Sequence, residues 1–144
     1  MPTTHTTIPS GGGGARIQGH GVHDDDGGPG PQLMTAATLT GDKVINRSGQ
    51  TLGDIDEIML DVPRGRIAYA VMTSGGFLGV GEKLFAIPWH ALTLDTDRHC
   101  FVLDVSKEHF ENAPGFDKDH WPSTASEDWH REVHAYYRTP LYWE

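Results

Sequence analysis

Residues 74–89, SGGFLGVGEKLFAIPW, constrain this chain more than any other stretch. Gly76 and Gly79 let the backbone turn through positive φ without a Cβ penalty, and Phe77, Leu78 and Val80 sit inside that turn. A loop with apolar side chains at its tip either folds onto a core or offers a sticky patch. Residues 84–87 then read as a buried strand, and Pro88 fits only at a strand end or an edge. The loop therefore joins two strands. A phosphate-cradling loop needs Gly-Lys-Ser/Thr opening a helix, whereas here Lys83 is followed by Leu84 and a strand. Nucleotide binding is set aside on that ground.

The rest of the chain builds a sheet around this loop. Residues 43–46 form a short strand, and Gly49 sits in the turn that follows. Residues 52–62 read as a long strand that departs from strict alternation. Ile58, Leu60 and Val62 share one face and Ile55 falls on the other, so a bulge is expected near Asp56 and Glu57. Pro63-Arg64-Gly65 makes a hairpin turn into residues 66–73, which are apolar on both faces and read as a central strand. Residues 91–94 and 100–105 complete the set. Five or six short strands with turns between them predict a mainly β chain, a small barrel. Ser106 is a good N-cap for a helix over residues 107–111. Ser126 opens a second helix, with Trp129, Val133 and Tyr136 or Tyr137 at helical spacing, and Thr139-Pro140 stops it. Residues 1–34 are rich in Gly, Thr, Pro and His and are expected to be a disordered tail. The organisation is thus tail 1–34, barrel 35–122 and helical extension 123–144.

Residues 75–92, GGFLGVGEKLFAIPWHAL, resemble the signature of stand-alone bacterial PRC-barrel proteins. The resemblance runs from Leu39 to Pro122. It takes in Gly49-Gln50-Thr51-Leu52-Gly53, Ile55-Asp56-Glu57-Ile58, Gly65-Arg66-Ile67-Ala68-Tyr69, Asn112-Ala113-Pro114-Gly115-Phe116 and Trp121-Pro122. It implies a small PRC-type barrel like those of the photosynthetic reaction centre H subunit and the bacterial ribosome-maturation factor. Neither precedent is an enzyme, so the resemblance implies a protein-interaction module.

The charge narrows the partners. A net charge of −9 argues against direct binding of nucleic acid or of an anionic membrane surface, both of which need clustered Lys and Arg. No run of about 18 apolar residues predicts a transmembrane helix, and the N-terminal residues lack the pattern of a secretory signal. Cys100 is the single cysteine, which fits the cytoplasm. It lies in an apolar strand and reads as core.

No acid, base and nucleophile stand at a recognisable spacing, so no catalytic residue, cofactor or metal is assigned. His20, His23 and Asp24 read as part of a solvated tail. Asp54, Asp56, Glu57 and Asp61 are an acidic series without the loop of a calcium site. His130 and His134, with Glu127 one turn earlier, read as a solvated helix face. The alternative is a weak metal-binding protein or an enzyme built on these histidines. A further alternative is a ribosome-assembly adaptor that binds a basic ribosomal protein. A homodimer with an unknown protein partner is expected, its interaction surface formed by Phe77, Leu78, Trp89, His90 and Trp121, near the glycine loop or the barrel edge.

Overall fold

The structure is a computed structural model and describes residues 6–8, 14–19, 33–74, 83–117 and 127–143. The glycine loop with Phe77 and Leu78, the tail histidines, Trp121 and the Ser126 cap lie outside the described residues. The strands are β1 (Thr6–Ile8), β2 (Arg16–Gly19), β3 (Lys43–Ile45), β4 (Thr51–Asp61), β5 (Arg66–Thr73), β6 (Lys83–Ile87), β7 (Leu92–Asp95), β8 (Cys100–Leu103) and β9 (Phe116–Asp117). The helices are α1 (Ala36–Leu39), α2 (Lys107–Glu111) and α3 (Glu127–Tyr136), with a 3-10 turn at Trp89–Ala91 between β6 and β7. The chain is mainly β, as the sequence predicts.

The strands form one nine-stranded sheet in the order β1-β2-β7-β8-β3-β4-β5-β6-β9. Its middle six strands, β7 through β6, are the barrel expected from sequence. The sheet curls without closing by hydrogen bonds. The 3-10 turn carries the chain from one side of the curl to the other and lies against β5. Val44, Ile55, Ile87, Leu92, Phe101 and Leu103 fill the interior and are almost wholly buried.

Local chemistry sets each element. Asn46 is buried, and its Oδ1 accepts the backbone N–H groups of Ser48 and Gln50 at 3.1 and 2.9 Å. That bonding closes the β3–β4 turn, in which Gly49 has φ of 82°. Gly53 is required for another reason. A Cβ there would stand 2.0 Å from the Thr73 carbonyl oxygen, so β4 and β5 can approach only over hydrogen. The register of β4 on β5 shifts between Ile55 and Glu57, which is the expected bulge at Asp56.

A second register shift was not expected. Met59 pairs with Tyr69 but Leu60 pairs with Ile67, so Ala68 is the extra residue on β5. The shift separates Ile67 and Tyr69, which simple alternation would put on one face. Ile67 lines a cavity with Leu94 and Phe101, whereas Tyr69 packs edge-on against Trp129 at 5.2 Å. Downstream of it Leu60 and Val62 are 64 % and 81 % exposed, because the hairpin end projects past the barrel. Ile55 is buried while Ile58, Leu60 and Val62 are half-buried to exposed, in keeping with the two faces read from sequence.

Two further departures concern the ends. Two stretches of the N-terminal tail are strands. β2 pairs in parallel with β7, and Ile17 packs on the core. Helices were expected only after the barrel, yet the single turn of α1 precedes it and buries Leu39. After the barrel, Ser106 caps α2, its Oγ accepting from the His109 N–H at 3.0 Å. α3 ends at Tyr136, two residues short of Thr139-Pro140. Arg138 takes φ of 57°, and the Thr139 N–H returns to the His134 carbonyl, a Schellman closure.

Candidate interaction surface

α2, α3 and the C-terminal residues form a cap over β5 and β6. Phe110 of α2 meets Phe85 of β6 with ring centroids 4.7 Å apart. α2 and α3 are tied reciprocally. The His109 ring stacks on Tyr136 at 4.2 Å, His109 Nε2 donates to the Tyr136 carbonyl at 3.2 Å, and the Tyr136 hydroxyl donates to the His109 carbonyl.

His130 and His134 lie inside this cap. They are 5 % and 2 % exposed, which corrects the reading of a solvated helix face. His130 has Trp129, Tyr142 and Trp143 around its ring at 5.0 to 5.9 Å. His134 Nδ1 donates to the His130 carbonyl at 2.7 Å, and burial lowers its pKa below the usual histidine value. The sequence missed this because the residues that cover the pair, Tyr142 and Trp143, come after a chain reversal that helical spacing does not reveal. Glu127 stays on the exposed side of α3, 3.9 Å from Arg131. Among the described residues no group of three or more His, Cys, Asp or Glu side chains is placed to hold a metal ion.

The C-terminal residues anchor the cap to the β4–β5 hairpin. The Tyr142 hydroxyl and the Arg64 guanidinium both donate to Asp61 Oδ2, the latter at 2.8 Å. These bonds hold the Asp61 carboxyl down at about 2. The Tyr142 hydroxyl is pushed up to about 12, by burial first and then by Asp61. Arg66 donates to the Tyr142 carbonyl at 2.8 Å, and the Arg64 guanidinium lies 5.5 Å from the Trp143 ring.

Between hairpin and cap runs an open cleft of about 530 Å³. Its floor carries Tyr69, its cap side Tyr142 and Trp143, and its rim Leu60, Val62 and Pro63. Tyr69 is 1 % exposed, and its hydroxyl has no hydrogen-bond partner among the described residues. The lining combines apolar area and aromatic faces with the charged or titratable side chains of Asp61, Arg64, Glu127 and His130.

The residues singled out from sequence lie elsewhere. Trp89 is half-buried in the 3-10 turn and packs edge-on against Phe101 at 5.5 Å. The neighbouring His90 Nδ1 donates to the Gly14 carbonyl at 3.0 Å. Both therefore stand beside the N-terminal strand, on the β7 side of the sheet. Phe77, Leu78 and Trp121 are outside the described residues. Cys100 is buried, and burial raises its thiol pKa, which suits a core residue rather than a nucleophile. No helix among the described residues is long and apolar enough to cross a membrane.

A family model described as the PRC-barrel domain matches residues 31–110. The match holds the strands β3 to β8 and ends at Phe110, ahead of the downstream motifs that share the resemblance. No curated protein matches the chain.

Proposed function

Because the chain belongs to the PRC-barrel domain family, we propose that it is a non-catalytic interaction module that binds another protein and pairs with a second copy of itself. The observation that carries the reading is the cleft between hairpin and cap, with Leu60 and Val62 bare on its rim. Apolar side chains grouped beside a concave aromatic floor are a partner-binding signature, whereas scattered ones are ordinary surface. Self-association is assigned to the barrel edge near Trp89 and His90, with Phe77, Leu78 and Trp121 as its further members. The lone Cys100 fits a cytoplasmic location.

The test is affinity capture from the native cell with the wild-type chain, Leu60→Asp/Val62→Asp and Phe77→Asp/Leu78→Asp in parallel. The expected result is a partner retained by the wild type and lost by the first variant. Loss with the second variant alone moves the surface to the glycine loop. A purified protein with one equivalent of metal, lost together with a measurable turnover in His130→Ala/His134→Ala, would overturn the non-catalytic reading. Analytical ultracentrifugation at tens of micromolar tests pairing, and a monomer there ends it.

A second reading draws on charge. The net charge is −9, and Asp56 and Glu57 stand exposed on β4. Both favour a basic partner, as a ribosome-assembly adaptor holding a basic ribosomal protein would have. Co-sedimentation with ribosomal particles at low salt is the expected result under this reading.

A further inference from the structure

β2 is an addition to the barrel. The family match begins at residue 31, so the strand at Arg16–Gly19 lies outside it. Within the matched span β7 is the last strand on its side of the sheet. Its outer edge would present unpaired N–H and C=O groups, a template for strand addition. Here β2 fills it in parallel, with Arg16, Ile17 and Gln18 opposite Thr93, Leu94 and Asp95.

The seat is specific. Arg16 Nε donates to Thr93 Oγ1 at 3.3 Å, and Gln18 Nε2 donates to Asp95 Oδ2 at 3.1 Å. Thr96 donates through both its N–H and its hydroxyl to the Gln18 carbonyl, at 2.9 and 3.2 Å. Gly19 ends the strand where any Cβ would strike Thr96 Oγ1. A backbone-paired strand with alternate side chains in fitted places is how sheet edges recognise extended peptides.

We propose that the outer edge of β7 is a strand-accepting site and that two copies of the chain exchange their Arg16–Gly19 strands across it. The inference rests on the self-association reading and gives it a mechanism. Exchange conserves every contact described above, because the strand meets the same edge in either copy. Residues 20–30 lie between it and the matched span, and a stretch of that length reaches on the order of 35 Å when fully extended. Symmetric exchange of an identical element is a low-cost route to a dimer. The site also adjoins Trp89 and His90, since the His90 ring holds the Gly14 carbonyl that leads into β2.

Disulfide trapping between two full-length single variants tests the exchange. One carries Arg16→Cys and the other Thr93→Cys. These residues are directly opposed, and neighbouring strands place Cα atoms about 4.8 Å apart, inside the disulfide range. The wild-type chain, whose Cys100 is buried, is the control. Mixed at tens of micromolar and oxidised, the two variants are expected to give a covalent dimer on a non-reducing gel. The double variant in a single chain checks the strand's position. If it closes within one chain while the mixture gives no dimer, the strand stays on its own barrel and the exchange is overturned. If neither sample crosslinks, β2 does not occupy the β7 edge and the proposal falls as well. A dimer in the ultracentrifuge with no crosslink in the mixture would refute the exchange and leave self-association standing. A monomer would remove both.

Discussion

The barrel and its C-terminal cap bury polar groups in opposite ways. In the barrel, the buried side chains of Asn46 and Asp95 are saturated. Asn46 Oδ1 accepts from two backbone N–H groups and its Nδ2 donates to Gln50 Oε1 at 2.9 Å, while Asp95 Oδ1 accepts from the N–H groups of Asp97 and Arg98 at 3.0 and 3.1 Å. In the cap, the hydroxyls of Tyr137 and Thr139 are buried with no hydrogen-bond partner among the described residues, and so is that of Tyr69 on β5 directly beneath it. There, two histidines are buried among aromatic rings. Saturated polar groups fix one arrangement, and unsatisfied ones penalise it. The barrel is thus specified by its bonds. The cap is held by apolar area, aromatic contacts and the few bonds at Asp61 and His109.

The largest expected effect is in the barrel. Gly53→Val drives a side chain into the Thr73 carbonyl, which is backbone and cannot swing aside. The cost is expected to reach about 3 kcal/mol or more, read as a lower urea midpoint. A midpoint equal to the wild type would mean that β4 and β5 are not this close. Asn46→Ala comes next. It strips two backbone N–H groups of their acceptor, at about 2 kcal/mol, with the midpoint as readout.

These barrel features were legible in sequence to differing degrees. Gly49, the bulge at Asp56, the Pro63-Arg64-Gly65 hairpin and the Ser106 cap follow from local chemistry, and the structure carries each one. Ala68 did not announce itself, because β5 is apolar on both faces and one extra apolar residue leaves the pattern unchanged. β2 was hidden for another reason. It is four residues long in a glycine-rich stretch, and its partner β7 lies far along the chain. The burial of His130 and His134 depends on Tyr142 and Trp143 folding back, a tertiary fact that periodicity cannot hold.

The cap should respond to pH where the barrel does not. Burial holds His134 below its ordinary value of 6.5, so it is neutral in the folded protein at pH 7. Once released it regains the ordinary value. As pH falls through about 6.5, the released form therefore takes up a proton that the docked form resists, and stability of the cap declines. The expected outcome is a change in Trp129 and Trp143 fluorescence on acidification, while far-ultraviolet circular dichroism still reports the sheet. His134→Leu should flatten that part of the curve. An unchanged curve would assign the response to another group. The Asp61 cluster acts lower still. Its carboxyl is held at about 2, so its support for the Tyr142 contact is full above 3.8 and fades as pH falls from there toward 2.

The smallest effect is the sharpest probe of the contrast. Tyr69→Phe removes one oxygen from the floor of the cleft and leaves the ring, with its edge-on contact to Trp129, in place. A buried hydroxyl ordinarily contributes about 1 kcal/mol through its bond, and its deletion costs that much. Here the hydroxyl makes no such bond among the described residues, and burial already pushes its pKa up. Deleting it removes a desolvated dipole and nothing that balances it. The variant should therefore be as stable as the wild type or more stable by up to about 1 kcal/mol, in contrast to the loss at Asn46. A clear loss of stability in Tyr69→Phe would show that the hydroxyl has a partner, and the contrast between the bonded polar groups of Asn46 and Asp95 and the unsatisfied ones where β5 meets the cap would fail at its centre. If stability holds but partner capture weakens, the oxygen meets its hydrogen bond only in the complex, and the floor of the cleft becomes part of the recognition surface.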